Sequence, residues 1–250
     1  MHEILSQLGG GDRVLDLGCD EGSFAASQTR AITVRLDRDM PGGRDGLFVQ
    51  GDASRLPFAD ASFRAVVSNH SLEHFDDLEG VLGEIGRVVR RDGALFVAVP
   101  DASTVTDRIY RWLGKGGGHV NPFTSAPDLA RRIEQATGLR HVGTRTLWSS
   151  LSFLNRKVCP RPLPLRLWLL GGGFEWTLRG YVRVSRWLDR VLGTRTGVYG
   201  WALYFGAVGD VDAVEWRNVC VRCGSGSPDG AARGRRKYTC AKCGAVNPRV

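Results

Sequence analysis

Short apolar runs separated by polar, glycine-bearing turns recur through the first hundred residues. Val14 to Leu17, Thr33 to Leu36, Leu47 to Gln50, Ala65 to Ser68 and Ala94 to Val99 have the length and residue types of strands covered on both faces. Between the last two, Leu78, Val81, Leu82, Ile85, Val88 and Val89 follow three-and-four spacing, which predicts an amphipathic helix stopped by Asp92-Gly93. A second helix over Leu129, Ile133 and Ala136, capped by Thr124 or Ser125 and ended at Gly138, leads into a sixth strand from Arg140 to Leu147. The next convincing strand is Trp201 to Val208, so residues 149 to about 198 read as an insertion between the last two strands. Strand and helix in alternation predict an α/β fold: a doubly wound, mostly parallel seven-stranded sheet with helices on both faces.

The turn after the first strand carries the first sign of chemistry. Val14-Leu15-Asp16-Leu17-Gly18-Cys19-Asp20-Glu21-Gly22 runs from an apolar strand into a glycine-bearing turn and then what reads as a helix start. Such a turn offers free backbone N–H groups to a nucleoside-bearing cofactor. An acid, Asp37, ends the second strand; Gly51-Asp52-Ala53 follows the third; Ser68-Asn69-His70-Ser71-Leu72-Glu73-His74 follows the fourth. Leu56-Pro57-Phe58-Ala59-Asp60-Ala61-Ser62-Phe63 and Glu84-Ile85-Gly86-Arg87-Val88-Val89-Arg90-Arg91-Asp92-Gly93 complete an ordered set of motifs.

Together these motifs resemble class I S-adenosylmethionine-dependent methyltransferases, in particular the branch with the ubiquinone and menaquinone biosynthesis enzymes. The resemblance runs from about Val14 to Val99 and more loosely to Leu147. It implies that Asp16, Gly18, Cys19, Asp20 and Gly22 line the methionine end of S-adenosylmethionine, that Asp37 holds the ribose hydroxyls, and that Asp52 with the Ala53 backbone meets adenine. Ser68, ending the fourth strand, joins this set. Asp20 stands where the pattern usually has glycine, so its side chain either crowds the methionine moiety or pairs with its ammonium group. A dinucleotide-binding fold is the rival for such a turn, but the full G-x-G-x-x-G spacing is missing.

Methyl transfer to a hydroxyl needs a base near the carboxyl edge of the sheet. His70, two residues past the fourth strand, and His74, one turn beyond it if Ser71 to Asp77 is helical, are candidates. His119 is the third, in the glycine-rich segment Gly116-Gly117-Gly118-His119. Ser68-Asn69-His70-Ser71 differs from the Asn-Pro-Pro-aromatic pattern of adenine amino-methylating enzymes, which favours an oxygen or carbon acceptor.

Cysteine spacing changes the picture at the C-terminal end. Cys220-x2-Cys223 and Cys240-x2-Cys243, 16 residues apart, have the spacing of a four-thiolate zinc ribbon, and Gly224 and Gly244 allow tight turns around the sulfurs. A site with all four positions filled by thiolate is expected to be structural. The expected domains are therefore 1–215, a methyltransferase with the insertion, and 216–250, a small zinc ribbon. Cys19 and Cys159 are left over as buried or incidental thiols.

Apolar residues at 42% and charged residues at 24% are ordinary for a globular protein, and neither a bilayer-length apolar run nor a signal pattern is present. The expected location is the cytoplasm. The net charge of +8 is unevenly distributed: residues 149–198 carry nine basic against two acidic residues, and residues 216–250 eight against one. Arg179, Arg183, Arg186 and Arg190 recur along one stripe of a helix whose apolar face comprises Phe174, Leu178, Tyr181, Val182, Leu188, Val191 and Leu192, with Trp168, Trp176 and Trp187 nearby. That pattern suits an anionic membrane surface, which would make the protein peripheral to the membrane, but a solvated helix face is the favoured reading, since a helix flanking a domain needs a soluble face. Arg233, Arg235, Arg236, Lys237 and Tyr238 in the ribbon suit RNA, the less favoured partner. The leading expectation is O-methylation of a small molecule, glycan or lipid-linked intermediate. The alternatives are an RNA or protein methyltransferase recruited by the ribbon, and a non-catalytic cofactor-binding scaffold.

Overall fold

The computed structural model describes residues 1–20, 22–39, 46–113, 118–158, 173–209, 211, 216–227 and 236–250. The strands are β1 (Arg13–Leu17), β2 (Ile32–Asp37), β3 (Leu47–Gln50), β4 (Phe63–Asn69), β5 (Val89–Pro100), β6 (His141–Trp148) and β7 (Val198–Gly206). They form a seven-stranded sheet in the order β3-β2-β1-β4-β5-β7-β6. β1 pairs in parallel with β2 and β4, β2 with β3, and β4 with β5. The helices are α1 (His2–Leu5), α2 (Leu78–Val88), α3 (Val105–Leu113), α4 (Ala126–Thr137) and α5 (Glu175–Leu192). Four two- or three-residue strands follow: β8 (Asn218–Val219), β9 (Gly226–Ser227), β10 (Lys237–Thr239) and β11 (Val246–Pro248).

The chain divides into two compact units. The first comprises Met1–Pro100, Gly118–Arg145 and Trp201–Asp212, and the second Asp101–Gly117, Thr146–Gly200 and Ala213–Val250. In the first, Leu15, Leu17, Val66, Leu95, Val97, Leu203 and Phe205 from the sheet are fully buried with Leu82, Ile85 and Ile133 from α2 and α4. The two motif segments after β3 and in α2 meet here. Arg87 donates to the carbonyls of Phe58 and Leu56 at 2.7 and 3.0 Å, and Glu84 accepts from the Leu56 amide at 2.7 Å. That lock holds the loop after β3, and with it Asp52 and Ala53, against α2.

Several local expectations are corrected. The helix start after Gly22 is one 3-10 turn at Ala26–Gln28. Ser71 to Asp77 likewise holds only a 3-10 turn, Leu72–His74, before Asp77 caps α2 through the Gly80 amide. Asp92-Gly93 does not stop a helix: α2 ends at Val88 and β5 already runs through both residues. Ser125 caps α4 through the Asp128 amide, and Gly138 ends it at φ 70°. Gly116 and Gly117 lie outside the described residues.

In the second unit, Leu178 and Val182 of α5 pack with Leu151, Leu154 and Val221. Ser150 Oγ donates to the Cys220 carbonyl at 2.9 Å, Asn155 Nδ2 to the Val221 carbonyl at 2.8 Å, and Arg222 Nε to Glu175 Oε1 at 2.6 Å. The cysteine-bearing segment thus shares a core with α5.

Candidate active site and cysteine cluster

Three backbone positions in the turn after β1 lie in the left-handed region: Gly18 at φ 65°, Asp20 at 39° and Gly22 at 100°. A Cβ on Gly18 would stand 2.5 Å from Ser71 Cβ, and one on Gly22 would run into the Arg35 guanidinium. Asp20 takes the strained middle position that glycine would hold without cost, which acidic residues do more readily than most. Its amide is used: Asp20 N donates to Asp37 Oδ2 at 2.7 Å, linking the turn to the end of β2.

The turn borders a cleft of about 350 Å³ at the carboxyl ends of β1, β2 and β4. Of the residues singled out above, Gly18, Asp20, Asp37, Asp52, Ala53, His70 and His74 line it. Leu36, Arg38, Gly51, Ser71 and Phe75 line it as well; Gly51 and Ser71 belong to the motifs quoted above, while no motif marks Arg38 or Phe75. Asp52 Oδ1 accepts from both the amide and the hydroxyl of Ser54 at 2.9 Å, and these bonds hold its carboxyl below the ordinary range.

Asp16, Cys19, Gly22 and Ser68 do not line the cleft; they build what lies beneath it. Asp16 is fully buried, and its Oδ2 accepts from Arg35 Nη1 at 2.6 Å and from the Ser23 amide at 2.9 Å. Arg35 also donates to the Phe24 carbonyl at 2.6 Å. Asp16 and Arg35 face each other in register across β1 and β2, so the pair clamps the turn after β1 from below. Cys19 is buried, which pushes its thiol up to about 12. Ser68 Oγ lies 2.6 Å from Ser71 Oγ, which donates to the Leu17 carbonyl at 3.0 Å.

The three histidines come together. His70 sits at φ 58°, and its Nδ1 is 3.8 Å from Glu73 Oε1. Burial first, then the charges of His119 and His74, pull its pKa down to about 4. His74 Nδ1 makes a 2.9 Å hydrogen bond with the Gly118 carbonyl, and the His74 and His119 rings meet edge to face at 4.9 Å. The loop bearing His119 is tied down by the Val120 and Asn121 amides, which both donate to the Glu73 carbonyl at 2.8 and 3.1 Å.

The four sequence-predicted thiolates also converge. Cys220 and Cys243 sulfurs are 3.5 Å apart, Cys223 and Cys240 sulfurs 3.7 Å, and all four lie within 4.8 Å of one another. Four ligands at about 2.3 Å from a tetrahedral zinc are separated by roughly 3.8 Å, so the donor set fits that ion. Gly224 and Gly244, at φ 71° and 69°, return their amides to the Cys220 and Cys240 carbonyls at 3.0 and 2.9 Å.

The arginine stripe of α5 is broken. Arg186 is buried: it donates to the carbonyls of Gly197 and Ser149 at 2.9 and 2.8 Å and stacks 4.6 Å over Trp148. Arg186 follows Val182 by one helical turn and so borders the buried face. Arg179 pairs with Glu175 at 2.9 Å, leaving Arg183 and Arg190 on the exposed side. The apolar face is narrower than its pattern suggested, since Phe174, Val191 and Leu192 are exposed along with Trp176 and Trp187. Trp168, Cys159, Arg233, Arg235 and Glu21 lie outside the described residues. No helix among the described residues is long and apolar enough to cross a membrane.

A sheet of this order with a cleft at its carboxyl edge, bounded by a glycine turn and an acid ending β2, defines a nucleoside-cofactor methyltransferase fold. The chain belongs to the class I S-adenosylmethionine-dependent methyltransferases and is an enzyme of that class. Residues 15–97 match the family described as "Methyltransferase domain". A demethylmenaquinone methyltransferase of Mycobacterium sp. (strain KMS) is 38% identical over 183 residues, covering 61% of this chain and 78% of that protein. The fold is shared with a putative methyltransferase solved in complex with the Haloferax volcanii Trm112 methyltransferase activator, with TM-score 0.53, 17% identity, and coverage of 83% of this chain and 88% of that one. It is also shared with an Archaeoglobus fulgidus SAM-dependent methyltransferase, with TM-score 0.53, 18% identity, and coverage of 81% and 87%.

Proposed function

We propose that this chain transfers the methyl group of S-adenosylmethionine to a hydroxyl of a small molecule, glycan or lipid-linked intermediate. The observation that carries the reading is the cluster of His70, His74 and His119 with Glu73, of which His70 and His74 line the same cleft as the turn after β1. The name of the 38%-identical relative also supports an acceptor of small-molecule kind.

When bound, the cofactor supplies a methyl group already activated on a sulfonium. The protein then has to hold, align and deprotonate. Gly18 and Asp20 offer the turn to the methionine end, Asp37 accepts from the ribose hydroxyls, and Asp52 with the Ala53 backbone borders adenine. His70 takes the acceptor proton as the oxygen closes on the methyl carbon. Asp16, Cys19, Gly22 and Ser68 hold the turn from beneath.

In the same reading, Cys220, Cys223, Cys240 and Cys243 hold one structural zinc, and residues 216–250 form a zinc ribbon with no part in the chemistry. An anionic partner has separate support in the second unit. There a cavity of about 410 Å³ is bordered by Arg183, Arg190, Arg236, Arg249 and Trp187.

Radiolabelled S-adenosylmethionine offered with lipid, glycan and RNA fractions should label a lipid or glycan fraction; label in RNA alone would overturn the acceptor class. With that acceptor, His70→Asn should lower kcat by roughly 10²- to 10⁴-fold, the usual worth of a general base, with cofactor affinity unchanged. Asparagine tolerates the positive φ of this position, so the effect reports chemistry rather than backbone strain. A rate within tenfold of wild type would remove His70 from the mechanism.

A further inference from the structure

We infer that Glu73, His74 and His119 form a divalent-metal site at the wall of the cofactor cleft, distinct from the four-thiolate cluster and serving to hold the acceptor oxygen. The inference rests on the methyltransferase reading above and adds a second metal to it. Ligand atoms of the three side chains all lie within 4.8 Å of one another, close enough to share one ion. Two imidazoles and a carboxylate are a complete protein ligand set for an open catalytic site, which keeps a coordination position for water or substrate.

The surroundings are those of ligands held in advance. His74 Nδ1 is engaged with the Gly118 carbonyl at 2.9 Å, the outer hydrogen bond that fixes a ligating histidine's tautomer and turns Nε2 into the donor. His119 is brought to His74 by backbone: Val120 and Asn121 donate to the Glu73 carbonyl, and the Asn121 side chain donates to the Leu72 and Phe75 carbonyls at 3.1 and 2.7 Å. The loop is therefore bolted to the two residues that supply the other ligands. Glu73 is 1% exposed and already has His70 Nδ1 3.8 Å from its Oε1, so the carboxylate is held in place among imidazoles. A cation shared with His74 and His119 would add to that company.

The position gives the site its use. His74 lines the cleft directly, so a cation on this triad faces the space where an acceptor meets the methyl group. It would lower the pKa of a hydroxyl oxygen held there. The hydroxyl proton passes to His70, and an oxygen lone pair forms the new O–C bond. The C–S bond breaks at the same time, and sulfur keeps that electron pair and becomes neutral. The products are the methyl ether, S-adenosylhomocysteine and one proton.

The test uses the full chain with its thiolate cluster loaded with zinc, titrated with MnCl₂ and followed by the electron paramagnetic resonance signal of free Mn(II). Mn(II) prefers nitrogen and oxygen donors to thiolates, so it reports this site and not the cysteines. One saturable Mn(II) per chain is expected, weakened at least tenfold by either Glu73→Gln or His119→Ala. His119 lies on a surface loop, so its variant keeps the test decisive if the buried Glu73 change disturbs folding. No saturable binding by wild type, or equal binding by His119→Ala, would overturn the site. The measurement needs no cofactor, so failure of S-adenosylhomocysteine binding would count against the methyltransferase reading alone.

Discussion

Replacing Cys220 by serine, or stripping metal with a chelator, is expected to melt the second unit. Metal binding in small four-ligand zinc domains is worth about 10–16 kcal/mol at neutral pH, which is as large as the whole stability of an ordinary domain. Here the loss spreads beyond residues 216–250. Cys220 and Val221 carbonyls accept from Ser150 and Asn155, and Val221 is buried with Leu178 and Val182 of α5. Near-ultraviolet circular dichroism should therefore lose the signal of Trp148, Trp176, Trp187 and Trp216, while the first unit retains cofactor binding. An unchanged spectrum and melting temperature in the metal-free protein would mean that the cysteines hold no structural ion.

The second large effect is expected at Arg35. Arg35→Met leaves the fully buried Asp16 carboxylate without its partner, and breaking such a pair costs about 3–5 kcal/mol. The turn after β1 should fail with it, because Arg35 also underpins Gly22 and the Phe24 carbonyl. Removing both charges in Asp16→Leu/Arg35→Met should recover much of the stability, since no buried charge is then stranded, but not the turn that Asp16 holds through the Ser23 amide. Urea unfolding of the two variants measures this directly. A single-variant cost below about 1 kcal/mol would show that water reaches the pair.

Arg35 also marks a limit of reading from sequence. The strands were legible because each is a short apolar run bounded by turn residues, and Val14, Leu15, Val66 and Val67 are indeed fully buried. The four cysteines were legible because metal geometry imposes a spacing. Arg35 and Arg186 were not, since an arginine in an apolar strand or on a helix flank looks the same whether it meets water or a buried carbonyl. Its partners come from distant parts of the chain: Asp16 and Phe24 for one, Ser149 and Gly197 for the other. Glu73 is hidden in the sequence for a similar reason. Its neighbours His70 and His74 carry the visible base chemistry, while the carboxylate gains its surroundings only when the loop after Gly118 folds back over it.

The helix expected after Gly22 is replaced by one 3-10 turn between Gly22 and β2. Asp20 is the reverse case. A departure from the glycine pattern was visible in the sequence, and the fold accommodates it at φ 39° by turning the amide toward Asp37.

The most direct test of the cofactor assignment is calorimetry of S-adenosylmethionine and S-adenosylhomocysteine with the wild-type chain and with Asp37→Ala. Asp37 stands at the cleft wall at the end of β2, and a hydrogen bond to a charged group contributes about 1.5–3 kcal/mol. The account predicts saturable one-to-one binding to wild type, weakened roughly 10- to 150-fold in Asp37→Ala. Absence of binding heat for both compounds with the folded wild-type protein would contradict it.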